Sequence, residues 1–194
     1  MKRAVKAAAY LILTALLCIL LQDFHGLYLS QKTLFSAHAR GLHYGPSEEI
    51  LVMESNPDGY GIVVGRLEDG GYSILPMKQK LGVFWGLAGG GVSPEFHPDE
   101  EVEFNFYYGV KSFVIMVQNP EIKEVYFCVK LEDRNGELYE EEHTASVDES
   151  GLVFLNRYED LKGIEIVDTS YYDDFRMEGR DAAGNVIWEL QQNL

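Results

Sequence analysis

Three acidic runs, Glu100-Glu101-Val102-Glu103, Glu140-Glu141-Glu142 and Asp173-Asp174, set carboxylates close enough to hold a hard cation or to divide acid and base roles. Successive residues of a strand point to opposite faces, so at most Glu140 and Glu142 of the second run converge. Runs of this kind more often blunt an exposed sheet edge against aggregation, and that solvated role is the expectation here. Asp133, Asn135 and Gly136 open like a calcium loop, but the third acidic position and the closing glutamate are missing, so the spacing predicts a hairpin turn.

Nucleophilic chemistry finds less support. Neither a Gly-x-Ser-x-Gly elbow nor a Ser-x-x-Lys pair occurs. Cys128 lies in Tyr126-Phe127-Cys128-Val129, a strand interior, where apolar burial predicts an inert thiol. His25, His38, His43, His97 and His143 are scattered, and without a His-x-x-x-His or Cys-x-x-Cys pair no transition-metal site is expected. The glycines between Gly86 and Gly91 lack a following Lys-Ser/Thr, so they form no phosphate loop. Phe84-Trp85 beside those glycines, and Tyr171-Tyr172 beside Asp173-Asp174, have the composition of a stacking platform for sugar or peptide, with core aromatics at strand ends as the commoner alternative. No residue is assigned a catalytic, cofactor-binding or metal-binding role, and no cofactor is expected.

The elements that would position these residues change character along the chain. From Ala4 to Leu21 the run AVKAAAYLILTALLCILL carries one charge and would span about 27 Å as a helix, close to the hydrocarbon thickness. Lys2, Arg3 and Lys6 precede or enter it, which predicts a cytoplasmic N-terminus and an exported remainder. A lipoprotein signal acylated at Cys18 would need a small residue where Leu17 stands. A cleaved signal would need a small-x-small site soon after Leu21, and Ala37-His38-Ala39 lies too far on. The expectation is an uncleaved signal anchor over residues 1–23, ahead of a cleaved signal or a buried helix of a soluble protein. Residues 24–42, with Phe24, Leu27, Tyr28, Leu34, Phe35 and Ala39 at rough helical spacing and Gly41 as a stop, predict a juxtamembrane helix.

Beyond it, short β-branched and aromatic runs alternate with turn clusters. EILVMES, YGIVVGRL and YSILPM, joined through Asn56-Pro57-Asp58-Gly59 and Glu68-Asp69-Gly70-Gly71, predict a meander over 43–98. Pro76 predicts an edge at the end of its third strand, and 78–85 a fourth strand. The aperiodic stretch from Gly86 to Glu101 predicts a boundary. Over 99–194 about seven strands, including the unbroken Phe113 to Val117 and the alternating Val125, Phe127, Val129 and Leu131, predict a β-sandwich. The fold expected is mainly β behind two N-terminal helices.

Charge sharpens the placement. The chain holds 31 acids and 16 bases in 194 residues, and from Glu48 onward 30 acids and 11 bases, a net of −19. A body of that sign repels phosphate backbones, which argues against nucleic acid as a partner. Cys18 lies in the predicted membrane run and Cys128 alone outside it, so the two cannot pair. No asparagine sits in a glycosylation sequon, which fits a bacterial source.

Arg180-Asp181-Ala182-Ala183-Gly184-Asn185-Val186 resembles the Asp-x-x-Gly-Asn turn before the last strand of bacterial immunoglobulin-like modules. Gly41, GPSEEIL and KLGVFWGLAGGG resemble a region of uncharacterised, membrane-anchored extracytoplasmic proteins of Gram-positive bacteria. The resemblance implies an immunoglobulin-like sandwich and a location; the unpaired Cys128 departs from the paired-cysteine pattern, and no site residue carries over. The functional expectation is a single-pass protein held through residues 4–21, its C-terminal domain outside the cell membrane, binding an envelope protein or glycan or serving a structural role. A carboxylate-dependent envelope hydrolase and an accessory subunit of a larger membrane complex are the alternatives.

Overall fold

The computed structural model describes residues 2–41, 47–68, 71–88, 101–170 and 176–191. The chain divides into two compact units, Met1–Glu95 and Phe96–Leu194, and the architecture is mainly β.

The first unit opens with α1, Lys2–His25, and α2, Gln31–Gly41. Residues 24–42 do not form one juxtamembrane helix: Gly26 adopts φ 59° and stops α1, as glycine readily does just past a helix end. Ser30 then caps α2 by accepting the Thr33 N–H at 3.2 Å. Between the helices Tyr28 bridges to Trp85 through two backbone hydrogen bonds, of 2.8 and 2.6 Å. Among the described residues no helix is long and apolar enough to cross a membrane; the side chains described in α1 are those of residues 6 to 20.

Strands β1 (Glu49–Ser55), β2 (Tyr60–Arg66), β3 (Tyr72–Lys80) and β4 (Phe84–Leu87) form an antiparallel meander in chain order. Leu34 and Phe35 of α2 pack with Val63, Leu75 and Met77 on one face of that sheet. Close approach requires the glycines flanking Val63: a Cβ on Gly65 would lie 2.7 Å from the Phe35 ring. Pro76 does not mark an edge at the end of β3, which is paired with β2 on one side and, from Met77 on, with β4 on the other. Its ring replaces a donor in a strand that continues to Lys80, and the run 78–85 is split by a turn in which Leu81 and Gly82 take φ 54° and 72°.

In the second unit β5 (Val102–Tyr107), β6 (Ser112–Val117) and β9 (Leu152–Asn156) form one antiparallel sheet in the order β5-β6-β9. The other is built on β7, Glu124–Asp133, which pairs with β8 (Leu138–Ser146) along one edge. Its opposite edge is shared by β11 (Arg176–Arg180) and β10 (Ile166–Ser170), with β12 (Val186–Gln191) beyond β11. Side chains from both sheets meet in one core: Phe106, Phe113, Ile115 and Val153 from the first, Val125, Phe127, Val129, Leu131 and Met177 from the second. Phe104, Phe113 and Phe127 stack pairwise at 5.1 to 5.4 Å between ring centroids. β6 is buried along its whole length, as its unbroken apolar run requires.

One turn recurs. In Asn56–Tyr60, Asp133–Glu137 and Asp181–Asn185 the fourth residue is a glycine with φ near 80°, whose N–H reaches the first carbonyl at 3.0 Å. The first residue's side chain accepts the N–H four residues on, at 2.8 to 3.0 Å. A type I turn followed by a left-handed glycine is a common three-residue hairpin connection.

Candidate functional site

Polar chemistry in the second unit is concentrated on the two faces of β8. The alternation that turns Glu140 and Glu142 outward turns Tyr139, Glu141, His143 and Ala145 inward, where Tyr139 and Ala145 pack against the core. Glu141 is therefore not the solvated edge residue expected: it is buried at 6% exposure. Its Oε2 accepts from Arg157 Nε at 2.8 Å and from His143 Nε2 at 2.6 Å. Arg157 also pairs with Asp160 at 2.8 Å, and the His143 ring lies 5.3 Å from Phe127. A carboxylate in an apolar wall needs such donors, because an unpaired charge there is strongly disfavoured.

An imidazole on a carboxylate is two-thirds of a nucleophilic triad, but among the described residues no hydroxyl or thiol hydrogen-bonds to His143. Glu141 is already engaged by a guanidinium, so the cluster serves to fasten β8 to the segment after β9.

The outer face carries a ladder of opposite charges. Arg176, Glu178 and Arg180 alternate along β11, beside Cys128, Tyr126 and Glu124 of β7. Glu178, 3% exposed, is held by Arg176 on Oε1 and by Arg180 on Oε2, the latter at 2.7 and 3.0 Å. Arg180 also pairs with Glu124 at 3.2 Å and lies over the Tyr126 ring. Its hydrogen bonds to Glu178 push the guanidinium pKa up further.

Cys128 lies on this outer face, half-buried, rather than in the core: Phe127 and Val129 take the inward positions. Burial raises the thiol pKa, and Glu140, which accepts the S–H at 3.7 Å, raises it further. The upward shift thus comes partly from neighbouring carboxylates, a cause outside its own strand. Tyr126 OH likewise donates to Glu142 at 3.1 Å.

Asp133 is a turn residue. Its carboxylate accepts the N–H groups of Asn135 at 2.8 Å and Glu137 at 2.9 Å, which, with Gly136, hold its pKa below the usual range. Asp181 is lowered by the equivalent bonds from Asn185 and Ala183. Glu103 and Tyr107 share a face of β5, and burial, then the Glu103 charge, pushes the Tyr107 phenol up.

In the first unit Trp85 is half-buried with the α2 core, its ring close over Gly61, which is the commoner of the two roles expected for it. A cavity of about 330 Å³ lies between α2 and β1, floored by Phe35, Ala39 and Ile50 and rimmed by Lys32, Ser36, Ser47 and Glu48. His38 is half-buried on α2. Glu100, His43, His97, Tyr171, Tyr172, Asp173 and Asp174 lie outside the described residues. Among those described, no cluster of histidine, cysteine and acidic side chains could hold a metal ion.

Comparison with known proteins returns no matching family model, no similar curated protein and no similar solved structure. Function is therefore read from this chain's own geometry.

Proposed function

We propose that the protein is a single-pass, membrane-anchored extracytoplasmic module, its N-terminus cytoplasmic and its β units outside, with a binding or structural role at the cell envelope. The observation that carries this is α1: Tyr10, Leu11, Ile12, Leu13, Leu16, Leu17, Ile19 and Leu20 are all at least half exposed. These positions cover every side of the helix, and a helix apolar all round is stable only in a core or a bilayer. The described side chains span residues 6 to 20, and the apolar run from Ala4 to Leu21 in the sequence, about 27 Å as a helix, is the length this reading relies on. The cations at Lys2, Arg3 and Lys6 favour the N-in orientation.

For the second unit, the two antiparallel sheets, β5-β6-β9 and β8-β7-β11-β12 with β10 also on β7, support reading it as an immunoglobulin-like sandwich, as the resemblance of the Asp181 turn suggests. Glu178 has an arginine on each carboxylate oxygen and Glu141 has Arg157 and His143 on Oε2, which favours a module over a carboxylate hydrolase.

Alkaline extraction of membranes from cells expressing the full chain tests the anchor. The chain stays in the pellet and leaves only with detergent; release by alkali or high salt contradicts it.

A further inference from the structure

Outside α1, the apolar residues most exposed among those described in the first unit gather at one place. Leu81 is 80% exposed, Val83 56% and Leu29 57%. Leu81 and Val83 form the β3–β4 turn, next to the last strand pair, Lys80 with Phe84. The antiparallel bridge of Tyr28 to Trp85 sets Leu29 on the Phe84 side, so the three side chains share one end of the sheet.

The turn is built for exposure at a conformational cost. Leu81 sits at φ 54°, a region that asparagine, aspartate or glycine fills in two-residue hairpin turns and that disfavours leucine. Gln79 Nε2 donates to the Gly82 carbonyl at 3.0 Å and holds the loop in that shape. Lys78 and Lys80 are exposed beside it, and among the described residues neither is paired with a carboxylate. Lys78 instead donates to Tyr60 Oη at 2.8 Å. Two unneutralised cations beside exposed leucines stand out in a body that carries a net charge of −19 from Glu48 onward.

We infer that the β3–β4 turn is a lipid-contacting tip: Leu81 and Val83, with Leu29, enter the headgroup layer of the bilayer that holds α1, and Lys78 and Lys80 face anionic lipid. This rests on the anchored reading. The tether makes the contact attainable. Only Gly26 and Leu27 separate His25, the end of α1, from Tyr28. Those three steps reach at most about 10 Å, and Val83 lies two residues, about 7 Å, along β4 from the partner of Tyr28. Apolar side chains flanked by lysines are the composition that favours the anionic interface.

The test places a single environment-sensitive fluorophore on the full chain carrying Cys18→Ala and Cys128→Ala, reconstituted in phosphatidylcholine and phosphatidylglycerol vesicles. Labels are attached through Leu81→Cys, Leu13→Cys or Glu149→Cys. The position 81 label shifts to the blue and is quenched by lipid-borne nitroxides, the Leu13 label is quenched more deeply, and the Glu149 label stays water-like. Lys78→Glu with Lys80→Glu reduces quenching at position 81 and leaves position 13 unchanged. A water-like label at 81 with a quenched label at 13 overturns the tip and spares the anchor. Water-like labels at both positions overturn both readings.

Discussion

Glu141 and Arg157 form a pair in which the carboxylate is almost fully buried, so removing Arg157 leaves that carboxylate in the wall of the sandwich with only His143 against it. Arg157→Ala is expected to cost about 3 kcal/mol, read as faster hydrogen exchange of the β7 and β8 amides. The exposed pair Arg134 with Glu165 supplies the control: Arg134→Ala costs less than about 0.5 kcal/mol, because both groups are already solvated. Acid titration probes the turns. Asp133 and Asp181 are held below their ordinary pKa by N–H donors present only in the folded chain. Their stabilisation is complete above the unfolded value of about 3.9 and is lost as pH falls through the lower folded value. Asp133→Asn with Asp181→Asn therefore flattens the loss of stability below about pH 4, and an unchanged acid limb would contradict that origin.

At the scale of elements, two contacts determine whether the units hold. Gly65→Val drives a branched side chain into Phe35 and lifts α2 from its sheet, an overpacking cost of about 2 kcal/mol or more, checked by exposure of Trp85 to a fluorescence quencher. Phe127→Ala empties the centre of the Phe104, Phe113 and Phe127 cluster and costs about 3–5 kcal/mol, checked by the unfolding midpoint of the second unit. These same elements show what sequence pattern carries. Val125 to Leu131 is legible because period-two alternation is local, and the Asp133 and Asp181 turns are legible because glycine at a fixed offset is local too. The Glu141 cluster was not, since its partner lies 16 residues away across a strand crossing. One signal was available: Glu141 and His143 share parity with Tyr139 and Ala145, which places a carboxylate on the apolar side and calls for a cation. The break at Gly26 was missed because the apolar spacing of 24–42 runs through it, and only the backbone shows that Tyr28 is committed to β4.

For the whole molecule, the division of charge and the division of structure coincide. The three cations of the first 22 residues lie in the first two turns of α1, and 30 of the 31 acids lie from Glu48 onward, beyond both helices. On the proposed anchored reading, a strongly acidic chain would be repelled by an anionic bilayer except where local cations intervene, which gives the lysines beside Leu81 their significance. The central claim is that α1 crosses the membrane with the β units outside, and topology is its most direct test. A membrane-impermeant thiol reagent is applied to intact cells expressing the chain with Cys18→Ala and Cys128→Ala and a single cysteine, from either Lys2→Cys or Glu149→Cys. The account predicts that position 149 is labelled in intact cells and position 2 only after lysis. Labelling of both only after lysis, or recovery of the chain in the soluble fraction, would contradict it.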